Sequence, residues 1–316
     1  MGDNGVSSEQ QRTRQSARVG FSENETVETR MRVGFFTAEF LSGLYVDDLP
    51  AGQALGARGL EVEPVVWSRP FDAGRFQALV VRSPWDWYKH RTEFRAFVGS
   101  LSGLKTPVFN APELLQRYQD KTYFRHLDTL GLDTVPTTFF TPEQLDDVPA
   151  ELQRRGWRRA VLKPSFTANA YGAQRFEASE ASSVVAQAKA HPVDSEWMLQ
   201  PYVEGIEAGG EWSLVFFGGV FSHAVQKRPK AGDYRVQPDH GGQSVLATPS
   251  AETVAAAQRI IGVAVPEALY ARVDGVEHEG RFRLMELEVV EPELFFRLHP
   301  EAPARFADAL VRRLRG

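Results

Sequence analysis

Twenty-three residues near the carboxyl end, Tyr270 to Pro292, constrain the fold more than any other stretch. They read as two strands joined by a tight turn. Along the second strand Met285, Leu287 and Val289 alternate with Glu286 and Glu288, which places both carboxylates on one face. The spacing predicts a three-residue hairpin loop, His278-Glu279-Gly280, with Gly280 in the left-handed position such loops need. In that register Glu277 faces Arg281, Arg272 faces Glu286 and Asp274 faces Leu284, so Asp274 shares a face with Glu286 and Glu288. A two-residue loop would put Asp274 on the other face. Three carboxylates on one patch repel one another unless a cation or proton stands between them. Hard oxygen ligands suit magnesium, which takes one or two carboxylates and completes its shell with phosphates and water. The plainer reading of the same pattern is a half-solvated antiparallel sheet, so the chain upstream decides.

Upstream, short apolar strands at residues 32–37, 62–67 and 78–82 alternate with a helix over 49–58, the pattern of a parallel sheet covered by helices. The strand at 78–82 runs into Arg82-Ser83-Pro84-Trp85-Asp86-Trp87-Tyr88. Ligands of open α/β sheets gather outside the carboxyl ends of strands, which makes Arg82 and Asp86 substrate candidates, against a loop packed on its own tryptophans. A helix over 92–101 and a strand at 107–109 complete this unit, and Asn110 is expected to cap the next helix, with Pro112 in its first turn. Lys121 opens a further short helix. Lys163 ends a strand at 159–164 and meets a small-residue loop, 165–173, which lacks the glycines of a P-loop but offers N–H groups and hydroxyls to phosphate. Gln200 lies on a strand where its amide can meet the edge of a flat base. Lys227, Arg228, Lys230 and Arg235 cluster among glycines in one loop, read either as an anion clamp or as a solvated loop.

Bulk properties narrow the classes. A chain of 316 residues has room for two or three domains, and its net charge of -5 disfavours nucleic acid and anionic membranes as partners. The absence of cysteine excludes disulfides, thiolate zinc sites and a cysteine nucleophile, and fits the cytoplasm. No apolar run approaches the ~18 residues of a membrane span. Residues 1–30 are polar and read as a disordered tail, with Met31 an alternative first residue.

In this order the two lysines, the small-residue loop, the basic loop and the acidic hairpin resemble the ATP-grasp superfamily, in the branch of glutathione synthetase, D-alanine–D-alanine ligase and the D-cycloserine-forming ligase. The resemblance spans residues 31 to about 300. It implies an α/β fold, α+β in its C-terminal half, in three parts: an N-terminal α/β domain over 31–115, a central small α+β domain over 116–205, and a C-terminal α+β domain over 206–316. ATP is then expected between the last two. By position, Lys121 and Lys163 match the lysines that hold nucleotide phosphates, Ser165 the flap, Gln200, Tyr202 and Val203 the adenine hinge, and Glu211 the ribose carboxylate. Asp274, Glu286 and Glu288 match the magnesium ligands. Arg235 is the implied catalytic cation, with Lys163 and Lys227, while Gln237, His240 and Gly241, together with Arg82, Asp86 and Glu291, are expected on the substrate. Glu288 stands where relatives often have Asn, and the flap is poor in glycine. The implied reaction is an ATP-dependent ligation in which a carboxylate becomes an acyl phosphate and an amine displaces phosphate, between two molecules or within one. The competing expectations are a nucleotide-binding regulatory module and a small-molecule kinase. Expected partners are a small carboxylate and an amine; a homodimer is left open.

Overall fold

A computed structural model of the protein describes residues 31–315 apart from 169, 192, 229–241 and 279. The expected tail at 1–30 lies outside the described residues. β1 (Met31–Thr37), α1 (Leu49–Gly56), β2 (Leu60–Val66), β3 (Ala78–Ser83), α2 (Arg91–Leu101) and β4 (Val108–Phe109) build a parallel sheet of order β2-β1-β3-β4. Period two sorts its residues: Val33, Phe35, Ala78 and Val80 enter one core, and Phe36, Leu79 and Val81 enter another with Phe94 and Phe97 of α2. β3 is buried along its whole length, as an apolar strand in the middle of a parallel sheet should be, and the burial extends to Arg82 and Ser83 at its end.

α3 (Pro112–Tyr118) follows without the expected cap. Ala111 occupies the N-cap position, and the Asn110 amide reaches elsewhere, donating to the carbonyls of Tyr270 (2.9 Å) and Val289 (2.7 Å) and accepting from the Leu269 N–H (2.6 Å). A single 3-10 turn, Lys121–Tyr123, leads into α4 (Phe124–Thr129). β5 (Thr138–Phe140), α5 (Val148–Arg155), β6 (Arg159–Pro164), β7 (Gln174–Glu177), α6 (Ala181–Ala190) and β8 (Trp197–Pro201) form a second, antiparallel sheet of order β5-β8-β6-β7. Its core joins Leu162, Phe176 and Leu199 to Leu152 of α5 and Val184 of α6. Alternation along β6 therefore puts Lys163 on the face opposite Leu162, away from that core.

α7 (Gly205–Gly209) precedes the third sheet, built from β9 (Glu211–Phe217), β10 (Val220–Arg228), β11 (Gln243–Leu246), β12 (Tyr270–His278) and β13 (Arg281–Glu288) in the antiparallel order β11-β10-β9-β12-β13. α8 (Ala251–Ala264) covers one face with Ile260 and Ile261 against Leu214, Phe216, Val273 and Leu287. α9 (Ala302–Leu314) covers part of the other with Phe306 and Leu310 against Phe217, Val225 and Tyr270.

The β12–β13 hairpin departs from the expected register twice, by one residue each time, and the two shifts together restore the expected facing. His278 pairs with Arg281, so the loop is two residues and not three. That alone would turn Asp274 away from Glu286. A bulge then leaves Met285 without a cross-strand partner, and pairing resumes with Asp274 opposite Glu286 and Arg272 opposite Glu288. Gly275 makes the bulge sterically available: a Cβ there would lie 2.3 Å from the Phe282 ring and 2.5 Å from the Arg283 carbonyl oxygen. On its outer edge β13 is braced at Leu284, whose N–H and carbonyl bond the backbones of Asp133 and Val135 at 2.9 Å each. Asp274, Glu286 and Glu288 therefore share a face, by a route the spacing did not indicate.

Candidate active site

Where α9 ends its cover of the third sheet, the same face turns from apolar to charged. Cross-strand pairing sets Glu211 against Lys227, Ser213 against Asp274, Asp274 against Glu286, and Arg272 against Glu288. Asp274 is fully engaged: it accepts from Ser213 Oγ (2.6 Å), Arg272 Nε (2.9 Å) and Nη2 (2.8 Å), and Lys227 Nζ (3.2 Å). Lys227 also donates to Glu211 (3.0 Å), and the Arg272 guanidinium reaches on to Glu288. From the first turn after α3, Lys121 crosses to Glu286 (2.9 Å) and to the Thr167 carbonyl (2.7 Å) in the loop after β6. The Lys163 side chain makes no hydrogen bond or ion pair with any described residue.

Burial and neighbours set the protonation tendencies. Burial lowers the Lys163 pKa, with Glu286 opposing and Lys121 adding to the fall. Burial also works against the Lys121 ammonium, but the Glu286 carboxylate outweighs it and the pKa rises. Glu286 is held below its ordinary range because Lys121 and Lys163 overcome its burial; Asp274 is held far lower because Arg272 and Lys227 overcome its own. Glu288 moves the other way. Burial pushes it well up, Arg272 opposes, and Glu286, Asp274 and Glu291 add to the rise, since Arg272 is shared with Asp274. Glu211 is raised by burial against the pull of Lys227.

These contacts test the expected magnesium site. Among the described residues no three carboxylates or imidazoles stand together as a ligand set. Asp274 has its oxygens committed to Arg272, Lys227 and Ser213, so it does not fit as a ligand in this arrangement. Glu286 and Glu288 fit better, as two adjacent carboxylates of one face with one cation each, Lys121 and Arg272, and with Glu288 raised in pKa by burial first and by the neighbouring carboxylates in addition.

Beyond β13 the chain forms a strap in which six consecutive carbonyls are each taken by a side chain. Val289 accepts from Asn110 (2.7 Å), Val290 from the Tyr270 hydroxyl (3.1 Å), Glu291 from Trp85 Nε1 (3.1 Å), Pro292 from Arg82 (3.2 Å), Glu293 from Arg272 (3.1 Å) and Leu294 from His223 Nε2 (3.0 Å). Next, Asp47 accepts the N–H groups of Phe296 (2.9 Å) and Arg297 (2.8 Å). Phe295, between them, has a φ of 52° and sets its ring beneath Arg272 (5.6 Å) and Lys227 (5.9 Å). The strap thus joins the loop after β3 to the charged face.

Two expected substrate residues are spent on this scaffold. Arg82, 2% exposed, pairs with Asp48 (2.9 Å), holds the Pro292 carbonyl and stacks on Tyr270 (5.1 Å). Asp86 accepts from Trp67 Nε1 (2.6 Å). In this arrangement the Arg82 guanidinium braces the strap, while its Nη1 is buried with no hydrogen-bond partner among the described residues. The structure does bring Lys121, Lys163, Lys227, Glu211, Asp274, Glu286, Glu288 and Glu291 together. The Ser165 hydroxyl is buried without a partner among the described residues, and its carbonyl accepts the Lys121 N–H at 2.9 Å. Gln200 donates to Thr137 Oγ1 (2.8 Å). Tyr202 is flanked by Arg159 (5.0 Å) and Arg175 (5.2 Å), and Val203 packs with Val135, Ile206 and Val276. Arg235, Gln237, His240 and Gly241 lie outside the described residues. Sequence reasoning missed Arg272 as a site residue although it lies two positions before Asp274 on the same face; Trp87, Tyr270 and His223 carried no signal that could have marked them.

A charged antiparallel sheet, a smaller antiparallel sheet presenting a lysine toward it, and a parallel α/β unit tied to both define an ATP-grasp protein. The comparisons agree. Residues 33–110 match the family model described as the N-terminal domain of D-cycloserine synthetase DcsG. The cycloserine biosynthesis protein DcsG of Streptomyces lavendulae is 32% identical over 286 residues, covering 84% of this chain and 93% of that one. The crystal structure of D-cycloserine synthetase DcsG superposes with a TM-score of 0.79 at 29% identity, covering 90% of this chain and 99% of the other. The D-alanine–D-alanine ligase of Bacillus anthracis in complex with ATP shares the fold, with a TM-score of 0.63 at 17% identity over 90% of this chain and 97% of that one. The chain belongs to the D-cycloserine synthetase family of ATP-grasp ligases. It is accordingly an ATP-dependent ligase that forms C–N bonds. Among the described residues no helix is long and apolar enough to cross a membrane.

Proposed function

We propose that this protein activates the carboxylate of a small amino-acid-like molecule with ATP and closes it onto an amine of the same molecule, releasing ADP and phosphate. Ring closure is favoured over joining two molecules by the likeness to a D-cycloserine synthetase along nearly the whole of both chains. The observation that carries the site assignment is the state of the lysines. Lys121 is tied to Glu286, while Lys163 beside it is half-buried, uncompensated by any ion pair among the described residues, and so matched to an incoming polyphosphate.

Each residue then has a task. Lys163 and Lys121 hold phosphate oxygens, and Ser165 turns its unpartnered hydroxyl to them. Gln200, Tyr202 and Val203 line the base, and Glu211 takes the ribose hydroxyls. Glu286 and Glu288 would hold magnesium, and Asp274 would join them only once Lys227 turns to the nucleotide and Arg272 and Ser213 release it; a magnesium ion there would offset charge on the phosphoryl group in transfer. Arg272, which keeps one edge on Glu288, and Arg235, from the basic loop, hold the oxygen of the acyl carbon as the amine attacks.

The test is phosphate release from Mg-ATP with a panel of amino acids and small carboxylates, with Glu286→Gln as blank, followed by mass spectrometry of the product. Substrate-dependent phosphate, and a product lighter than its substrate through ring closure, are expected. ADP without free phosphate would identify a kinase. Tight ATP binding without turnover on any member would favour a binding module.

A further inference from the structure

Among the described residues only Ala170 and Phe295 combine a side chain with a positive φ, 56° and 52°. A left-handed backbone is uncommon for a bulky residue and persists only where the surroundings over-determine it. At Phe295 they do. His223 holds the Leu294 carbonyl at 3.0 Å, and Asp47 takes the N–H groups of Phe296 (2.9 Å) and Arg297 (2.8 Å). The Phe295 carbonyl accepts the Leu298 N–H at 3.0 Å. Asp47, 3% exposed, lies in the 3-10 turn Val46–Asp48 ahead of α1, so the parallel α/β unit latches a turn in the strap.

The turn delivers a ring. Phe295 is 1% exposed, and its centroid lies 5.6 Å from the guanidinium carbon of Arg272, 5.6 Å from that of Arg297 and 5.9 Å from Lys227 Nζ. Arg272 and Lys227 are like charges drawn to one carboxylate, Asp274, at 2.8 and 3.2 Å, and they repel each other there. A phenyl face attracts both through its quadrupole and, unlike a further carboxylate, takes up no proton and binds no metal. Packing in the core under α9 explains why the position is apolar, and a leucine would fill it as well. It does not explain a strained backbone that turns an aromatic face to three cations.

We propose that Phe295 is a positioning residue, its ring the platform that holds Arg272 and Lys227 side by side on the charged face, with Asp47 the latch that keeps the ring there. This rests on the ligase reading above and adds to it two residues that touch no substrate. Arg272 acts as the amine attacks, so a guanidinium that has slipped from the ring lowers kcat and leaves the KM for ATP in place.

The experiment places mono-, di- and trifluorinated phenylalanine at position 295 of the full chain. Fluorine withdraws charge from the ring face and nearly keeps its shape, which separates the platform from packing. With the best substrate of the panel above, kcat of phosphate release should fall in steps to about a tenth with three fluorines. The KM for ATP and the urea midpoint should stay near wild type. Asp47→Asn, which offers one acceptor oxygen in place of two, should lose part of kcat with the same KM. Crystal structures of wild type and the trifluorinated protein should show Arg272 and Lys227 displaced from the ring over an unchanged strap backbone. Equal kcat across the series, a kcat that falls only in step with the urea midpoint, cations unmoved in the trifluorinated protein, or full kcat in Asp47→Asn overturns the proposal. Silence of wild type with every member of the panel would instead defeat the proposed substrate class, and the two crystal structures would still decide the platform.

Discussion

Replacing Gly275 by alanine tests the packing that phases the catalytic face. The added methyl would lie 2.3 Å from Phe282 Cζ, 2.8 Å from Phe282 Cε2 and 2.5 Å from the Arg283 carbonyl oxygen. The ring can tilt away; the carbonyl belongs to a strand whose next residue, Leu284, is hydrogen-bonded on its far side to Asp133 and Val135. Overpacking of this kind costs about 1–3 kcal/mol, and a backbone obstacle places it at the upper end. In a unit of this size that is a fall of roughly 2–5 °C in melting temperature. Phe282→Leu, by removing the outer ring atoms, should recover the part due to the ring but not the part due to the carbonyl, so the double variant should sit between wild type and Gly275→Ala. Urea denaturation of the four proteins gives the cycle, and ATP affinity reports whether Glu286 and Glu288 keep their phase. A Gly275→Ala protein within about 0.5 kcal/mol of wild type, the range of ordinary surface substitutions, would refute the close approach and with it the account of the bulge.

Other variants separate site from scaffold. Lys163→Met should weaken ATP binding about tenfold or more yet leave melting temperature equal or higher, because it removes a half-buried ammonium with no partner among the described residues; a clear loss of stability would reveal a counter-charge. Burial, with His299 adding, lowers the His223 pKa from 6.5 to about 4, so the unfolded chain takes up the proton first as pH falls. The stability this histidine contributes is complete above pH 6.5 and lost toward pH 4, about 3 kcal/mol in all. His223→Gln, which can still donate to Leu294, should flatten that limb of a urea-unfolding series, and a parallel fall in both proteins would exonerate His223. Asn110→Ala strands buried groups at Leu269, Tyr270 and Val289 and should cost on the order of 3 kcal/mol in the same assay, whereas a loss under about 1 kcal/mol would mean that water replaces the amide.

What could be read beforehand was whatever the chain states through periodicity. The parallel sheet was legible in its apolar runs, and the carboxylate face in the alternation of Glu286 and Glu288 with Leu287. The hairpin register was not, because it turns on how closely Phe282 and Arg283 approach Gly275, a tertiary fact. The expected face survived only because a shorter loop and a bulge each shift phase by one residue. The contacts of Arg82 and Asp86 were hidden for a related reason: a charged residue at the end of a strand looks alike whether or not it meets Asp48 or Trp67, as these two do. Asn110, followed by Pro112, had the look of a helix cap, and nothing local said that backbone groups at Leu269, Tyr270 and Val289 compete for its amide. The strap was invisible altogether, since carbonyl acceptors leave no trace in residue type.

The ion pairs of the charged face have a consequence for the order of events. Lys121 is raised in pKa chiefly because Glu286 outweighs its burial, and Glu286 is lowered chiefly because Lys121 and Lys163 outweigh its own. Neither group can serve a new partner at full strength while it serves the other. A polyphosphate that draws Lys121 and Lys163 toward itself leaves Glu286 buried and uncompensated, next to a Glu288 already short of positive charge. That combination favours a divalent cation far more than the resting arrangement does. On the proposed assignment, nucleotide and magnesium should therefore bind with positive coupling, each raising the affinity for the other by the same factor, and Glu286→Gln should abolish most of that factor while leaving metal-free ATP affinity equal or improved. Equal metal-free and metal-bound ATP affinities in wild type would remove Glu286 from the exchange.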